Sequence, residues 1–387
     1  MTLNLLSNFA ARAVLDLSDG PAEDGDAREF HKRLPGYTPT PLVDAPALAD
    51  VLGVARVLVK DESSRIGLPS YKVLGASWAI YRELLQVLSL DPGDWRDVGD
   101  LARLLVPYGP LRLVTATDGN HGRAVARVAR LLGLSATIYV PDDMARARID
   151  GIASEGARVE VVNGSYDQAV ARSAQDAAPD VLVISDTSWP GYERVPGWVM
   201  QGYSTIFTEV AEQTAARGLP QPTTVAVQIG VGALAAATVR AYRTGAVLPS
   251  PTIVGVEPVD AACMLASIEA GKITEVARPH RSIMAGLNCG LASPLAFPLV
   301  RQGIDVFLAL DDDDARQAMR TLAAAGVESG ESGAAGFAGL AAAKRAGRGA
   351  EVGLDADAVV LVVSTEGATD PVGYARIVGS APGPRPA

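Results

Sequence analysis

The chain has 387 residues, 48% of them apolar and 20% charged, an ordinary globular composition that leaves room for two packed domains and excludes disordered or fibrous chains. Its 44 acidic and 34 basic side chains give a formal net charge of −10, which repels phosphate backbones and excludes a basic stripe for nucleic acid. Two cysteines, Cys263 and Cys289, are too few for a disulfide framework and have no neighbouring histidine for a metal site, so no metal is expected and a reducing cytoplasm is the natural setting.

Met1-Thr2-Leu3-Asn4-Leu5-Leu6 has no basic region ahead of an apolar stretch. No later run approaches the roughly 18 apolar residues of a membrane span, so no membrane partner is expected. The first feature along the chain is Lys72, set among Tyr71, Val73, Leu74, Ala76 and Trp78 just before a strong helix. Most surface lysines have polar neighbours, and an apolar-flanked lysine commonly lays its stem along the surface. A desolvated lysine also loses its proton more readily and can form an imine with a carbonyl.

From residue 111, short β-branched runs alternate with amphipathic stretches, the pattern of parallel strands joined by crossover helices. Leu111 to Ala116 reads as strand, Gly122 to Leu132 as helix and Ala136 to Val140 as strand. Ile149 to Glu155 then reads as helix, Val159 to Val162 as strand, Tyr166 to Asp176 as helix and Val181 to Ile184 as strand. The Pro/Gly-rich stretch Arg217 to Pro222 marks a domain boundary. A second series follows: strand Thr224 to Ile229, helix Ala233 to Arg243, strand Thr252 to Val256, a helix containing Met264 to Ala270, helix Asp313 to Ala324 and strand Ala358 to Val363.

Open α/β sheets bind ligands at the carboxyl ends of their strands, and five polar junctions are candidates. Thr115 to Gly122 leaves a strand and opens a helix whose amides can hold an anion. Gly230-Val231-Gly232-Ala233-Leu234-Ala235 forms a cradle of N–H groups suited to a phosphate. It also resembles a dinucleotide fingerprint without its third glycine, with Glu257 about 25 residues on as the acidic ribose ligand, so a Rossmann dehydrogenase stays open on this loop. Ser185 to Trp189, Glu328 to Gly333 and Ser364 to Asp370 complete the set. Singly each reads as a cap or turn; together, at ligand-facing ends, they argue for a site.

A lysine in Tyr71-Lys72-Val73-Leu74-Gly75-Ala76, followed 48 residues later by Asn120 in Asp118-Gly119-Asn120-His121-Gly122 and then by a glycine turn, resembles fold-type II pyridoxal-phosphate enzymes. Within that superfamily, Thr117 to Arg123, Asp186 to Tyr192, Ile283 to Leu287 and Ser364 to Pro371 are most similar to diaminopropionate ammonia-lyases, the likeness spanning about residues 35 to 376. The resemblance implies an α/β fold of two open twisted sheets flanked by helices, with the cofactor in a cleft between a large domain (1–75 and 223–387) and a small one (76–222). It implies a homodimer acting on a small amino acid, in keeping with the cytoplasmic setting expected from the cysteine count.

By the same resemblance Lys72 carries pyridoxal 5'-phosphate as a Schiff base, Asn120 bonds the cofactor's phenolic oxygen, and Gly230, Val231, Gly232, Ala233 and Leu234 hold the phosphate. Ser364, or Thr365 beside it, faces the pyridine nitrogen. Asp118 stands where dehydratases usually have a small residue and is implied as a second base opposite the lysine, so that either enantiomer could lose its α-proton. A β-amino group is cationic at neutral pH, and Asp118 and Asp186 would attract it and manage its proton.

The leading expectation is therefore elimination of ammonia from 2,3-diaminopropionate to give pyruvate. A serine/threonine dehydratase or a β-replacement synthase is the alternative, and an amino-acid-binding regulator without turnover is a further one. Two departures stand out. Ala233-Leu234-Ala235 replaces the family's more usual serine, methionine and glycine, while Asn288 and Leu291 replace alanine and an acidic residue, as a pocket retuned to a related β-substituted amino acid would.

Overall fold

The computed structural model describes residues 3–12, 14–15, 26–91, 93, 95–244 and 250–383. Eleven strands lie within them: β1 Leu3–Ser7, β2 Leu42–Asp44, β3 Arg56–Asp61, β4 Arg112–Ala116, β5 Ser135–Pro141, β6 Arg158–Val162, β7 Val181–Val183, β8 Thr224–Gln228, β9 Thr252–Pro258, β10 Val306–Leu310 and β11 Val359–Ser364. They form two sheets in two compact units. The larger unit comprises Met1–Ala22, Pro39–Ser64 and Ile206–Ala387; the smaller comprises Glu23–Thr38 and Arg65–Thr205.

These bounds differ from the expected changes at 75/76 and 222/223. The helix Lys72–Leu88 packs on the helices Arg194–Gly202 and Asn120–Leu132, which places the lysine segment with the smaller unit. The helix Ser204–Ala216 is tied from Glu209 to Lys60 on β3, at 2.6 Å with both side chains fully buried, and so belongs almost wholly to the larger unit. The Pro/Gly-rich stretch at 217–222 is thus a loop inside the larger unit.

The larger unit's sheet has the order β1-β10-β9-β8-β11-β3-β2. The five central strands run parallel, while β1 and β2 pair antiparallel at the edges. Strands β8, β10 and β11 are buried along their whole length, as expected of parallel strands covered on both faces. That is why their sequences read as continuous apolar runs. The smaller unit's sheet is all parallel, with the order β6-β5-β4-β7.

Each sheet has a point where successive strands change sides, and such switch points leave a crevice at the carboxyl ends. In the smaller unit it falls between β4 and β7; in the larger, between β8 and β11. Every sequence-read element from residue 111 is found with its type unchanged, most ends shifting by one to three residues. Among the described residues no helix is long and apolar enough to cross a membrane.

Candidate active site

In the smaller unit the chain leaves β4 at Ala116 and re-enters a helix at Asn120. The turn is built by Thr117, whose hydroxyl oxygen accepts hydrogen bonds from the amides of Gly119 and Gly122, both at 2.9 Å. Gly119 has φ 142, a conformation few side chains tolerate,. A Cβ on Gly122 would lie 2.4 Å from the Thr117 side chain. The motif's glycines are therefore needed by the turn that holds Asp118 and Asn120, both half-buried, at the start of the helix.

Asp186 follows β7 on the other side of the switch point. Lys72 Nζ donates to Asp186 Oδ2 at 2.7 Å, with only 15% and 8% of the two side chains exposed. Tyr166 Oη donates to the other carboxylate oxygen at 3.1 Å. The lysine nitrogen also lies 5.5 Å from the ring centre of Tyr71 and 6.0 Å from that of Tyr203, within cation–π reach. Burial by itself would push the Asp186 carboxyl up, but the Lys72 ammonium, His121 and the bonds from Lys72 and Tyr166 hold it far below the usual carboxylate range. Burial would likewise lower Lys72, yet Asp186, both tyrosines and Asp118 outweigh it and keep the amine well above the ordinary lysine value.

His121 is 1% exposed and places Nε2 2.8 Å from the Ile184 carbonyl. A carbonyl only accepts, so Nε2 carries the hydrogen. Nδ1 is then an acceptor, and it has no hydrogen-bond partner. Burial, the largest influence, holds the imidazole below its ordinary pKa and hence neutral. The smaller unit thus gathers Lys72, Asp186, His121, Tyr71 and Tyr203, with Asp118 near enough to act on the lysine's charge.

In the larger unit β8 ends at Gln228 and the helix Ala233–Arg243 starts after Gly232, at φ 107. A Cβ on Gly232 would come within 2.8 Å of Met264 Cε, and one on Gly230 within 3.0 Å of the Gly286 carbonyl oxygen. The first intrahelical bond runs from Ala236 N to the Gly232 carbonyl. The amides of Ala233, Leu234 and Ala235 therefore have no partner within the helix, which makes its start a cradle for an anion.

Across the switch point, Ser364 Oγ donates to Ser329 Oγ at 2.8 Å, and Thr365 Oγ1 accepts from Gln228 Nε2 at 2.7 Å. The same amide nitrogen lies within 3.3 Å of the carbonyls of Ser332, Gly333 and Val363. All of these hydroxyl-bearing residues are at most 4% exposed.

Sequence reading missed Tyr166, Tyr203, Gln228 and Ser329. Tyr166 and Tyr203 lie at helix ends, where a tyrosine is unremarkable, and Gln228 was hidden in a strand. Ser329, in one of the polar junctions, was the one with a visible signal.

Glu257 does not serve as a ribose ligand. Fully buried at the end of β9, it accepts hydrogen bonds from the amides of Met264 and Leu265, both at 2.8 Å, and so caps the helix Cys263–Ala270. Its carboxyl is pushed up to about 8 by burial, against the pull of those amides. Asn288 is likewise structural: its Nδ2 donates to the Ser282 carbonyl at 2.8 Å while its Oδ1 accepts from Ser282 N at 3.2 Å. That departure clamps a loop.

A buried amine on one sheet's switch point, and on the other a glycine cradle and paired hydroxyls, are the parts of an enzyme whose cofactor is a phosphorylated aldehyde. The chain belongs to the pyridoxal-phosphate dependent enzyme family, which residues 33–365 match. Within it the chain is similar to the diaminopropionate ammonia-lyase of Escherichia coli K12, 39% identical over 364 residues covering 91% of this chain and 90% of that one. It is 36% identical to the Salmonella typhimurium diaminopropionate ammonia-lyase over 392 residues, 96% of this chain and 95% of the other. The crystal structure of the E. coli enzyme in complex with D-serine matches at a TM-score of 0.89, with 35% identity over 97% of each chain.

The protein is therefore a pyridoxal-phosphate dependent enzyme of fold-type II, related to carbon–nitrogen lyases. Its residues fit the cofactor. The unbonded amides at the start of the helix Ala233–Arg243 are donors of the kind a phosphate needs, and the glycines at 230 and 232 let that turn pack where a Cβ would meet the Gly286 carbonyl or the Met264 side chain,.

Proposed function

We propose that the chain eliminates ammonia from 2,3-diaminopropionate to yield pyruvate and ammonia. The observation that supports this most is the buried Asp186 carboxylate 2.7 Å from the Lys72 amine. Lys72 would hold the cofactor through its aldehyde carbon, with Asn120 donating to the ring oxygen, the turn from Gly230 to Leu234 binding the phosphate, and Ser364 or Thr365 at the ring nitrogen. Bound there, the cofactor supplies the electron sink for the carbanion that forms at the substrate's α-carbon.

With its nitrogen bound to the cofactor, Lys72 would no longer be available to Asp186 as a free ammonium. A buried carboxylate without its cation costs about 3–5 kcal/mol, and the substrate's β-ammonium restores the pair. Asp186 then keeps the β-nitrogen protonated, the form in which it departs as neutral ammonia when the C–N bond breaks. Serine offers a hydroxyl in that place and leaves the charge uncompensated.

The freed Lys72 amine takes the α-proton from the L-isomer, and Asp118 takes it from the D-isomer. Positioned bases of this kind contribute about 10² to 10⁴ in rate. The released enamine hydrolyses in water to pyruvate and a second ammonia.

Pyruvate formation from both diaminopropionate enantiomers and from serine tests each part. Wild-type enzyme should prefer diaminopropionate, and Asp186→Asn should erase about 10²-fold of that preference. Asp118→Asn should depress D-isomer turnover far more than L-isomer turnover. A wild type that prefers serine would overturn the reading, and equal losses for both enantiomers would remove Asp118 from its role as second base.

A further inference from the structure

Beside the Lys72–Asp186 pair stands a third polar group that neither residue uses. Tyr203 closes the helix Arg194–Gly202 and is 0% exposed. Its hydroxyl oxygen is buried and has no hydrogen-bond partner among the described residues. Burial pushes the phenol well above the ordinary tyrosine value, against the pull of Lys72, so the group is a neutral hydroxyl at neutral pH.

Packing accounts for the ring but not for its oxygen. The ring lies on Gly75, in the first turn of the helix that Lys72 opens, where a Cβ would stand 2.5 Å from the ring's Cε1 and 2.8 Å from its Cζ. Cζ is the carbon that bears the hydroxyl, so the absence of a side chain at 75 is what admits the phenol end of the ring. Tyr71 flanks it at 4.7 Å between ring centres. A phenylalanine would make the same ring contacts without burying an unpaired hydroxyl, which is destabilising. The Lys72 nitrogen lies 6.0 Å from the centre of the Tyr203 ring, and its hydrogen bond goes to Asp186.

We propose that Tyr203 is a positioning residue for Lys72: its hydroxyl is the seat that the lysine nitrogen takes when substrate occupies Asp186. This rests on the reading in which the substrate's β-ammonium pairs with Asp186. With that carboxylate taken, the freed amine stands in a buried site beside a second cation, and the Tyr203 oxygen accepts one of its N–H bonds. The lone pair is left to take the α-proton of the L-isomer, while the C–H electrons stay with the α-carbon. The ammonium so formed keeps the same acceptor and lies against the Tyr71 and Tyr203 rings, whose faces attract a cation. Asp118, the base for the D-isomer, does not use that seat.

Tyr203→Phe keeps the ring on Gly75 and removes only the oxygen. Its pyruvate formation from L-diaminopropionate should fall about tenfold or more, the worth of a hydrogen bond to a charged group, while turnover of the D-isomer holds. Denaturant unfolding of the cofactor-free chain reads the same contact without substrate, as a double-mutant cycle. With Asp186 in place, Tyr203→Phe should leave the midpoint unchanged or raise it. In an Asp186→Ala background the lysine turns to the phenol, and the same change should lower the midpoint. A hydroxyl with only a structural role would shift both backgrounds alike and slow both enantiomers alike, and either result would overturn the proposal. If the wild type forms no pyruvate from diaminopropionate, the substrate reading fails and the unfolding cycle decides the place of Tyr203; if Asp186→Ala does not fold, the enantiomer ratio decides it.

Discussion

Glu257 shows how one buried acid sets a pH dependence away from any reacting atom. Its carboxyl lies at about 8 in the folded protein against 4.5 for an ordinary glutamate. Between those values the folded chain holds a proton that the unfolded chain has released, so stability falls as pH rises across that window. A tenfold difference in proton affinity between the two states corresponds to roughly 1.4 kcal/mol.

In Glu257→Gln the side chain cannot ionise, and the difference in denaturant midpoint between the two ends of the window should shrink. The variant keeps one acceptor oxygen for two amides, at a cost of about 1–3 kcal/mol, so it should be the less stable protein at the acid end. An undiminished slope would mean that other groups carry the dependence. The residue's place after the second strand of the larger unit's series was legible. Its partners were not, because a helix cap and a ribose ligand ask for the same acid in the same spot.

Between elements, the close approach of Lys72–Leu88 to Arg194–Gly202 depends on two glycines. A Cβ on Gly202 would stand 2.5 Å from the Leu74 carbonyl oxygen and 2.8 Å from Gly75 Cα, while one on Gly75 would meet the Tyr203 ring at 2.5 Å. The first clash is with backbone and can be relieved only by moving the helix that bears Lys72. Overpacking costs about 1–3 kcal/mol, and the gain in helix propensity from glycine to alanine recovers at most about 1.

Gly202→Ala should therefore lower both the denaturation midpoint and kcat, and Gly75→Ala should be the milder, since a ring and a valine can shift. The reverse order would show that the helices separate easily. Helices with a clear apolar period were readable; this contact was not, because a glycine needed for close approach looks in sequence like any other glycine.

On the scale of the whole molecule, the parallel strands announced themselves as apolar runs followed by turns. The two switch points then accounted for why the polar junctions cluster after β4, β7, β8 and β11. The edge strand β1 and its neighbour β10 were silent. β10, Val-Phe-Leu-Ala-Leu, is a short apolar run that periodicity does not separate from helix. β1 acquires its role only by pairing, residue for residue from Leu3↔Leu310 to Ser7↔Val306.

That pairing covers what would otherwise be a flat, apolar edge, a template for aggregation. Deleting residues 1–7 should leave β10 as the edge and raise light scattering on concentration, with little effect on turnover per folded molecule. A truncated protein that stays monodisperse would assign β1 a lesser part.

Lys72 occupies the first position of a 17-residue helix, where the peptide dipoles disfavour a cation, yet Asp186 holds it as one. Only the neutral amine can attack an aldehyde. The ion pair should therefore act as a latch on maturation: newly folded chains are expected to capture the cofactor slowly at low pH and faster as pH rises. An enzyme relieved of Asp186 should load its cofactor more readily at low pH, which the rise of its visible absorption after mixing would report.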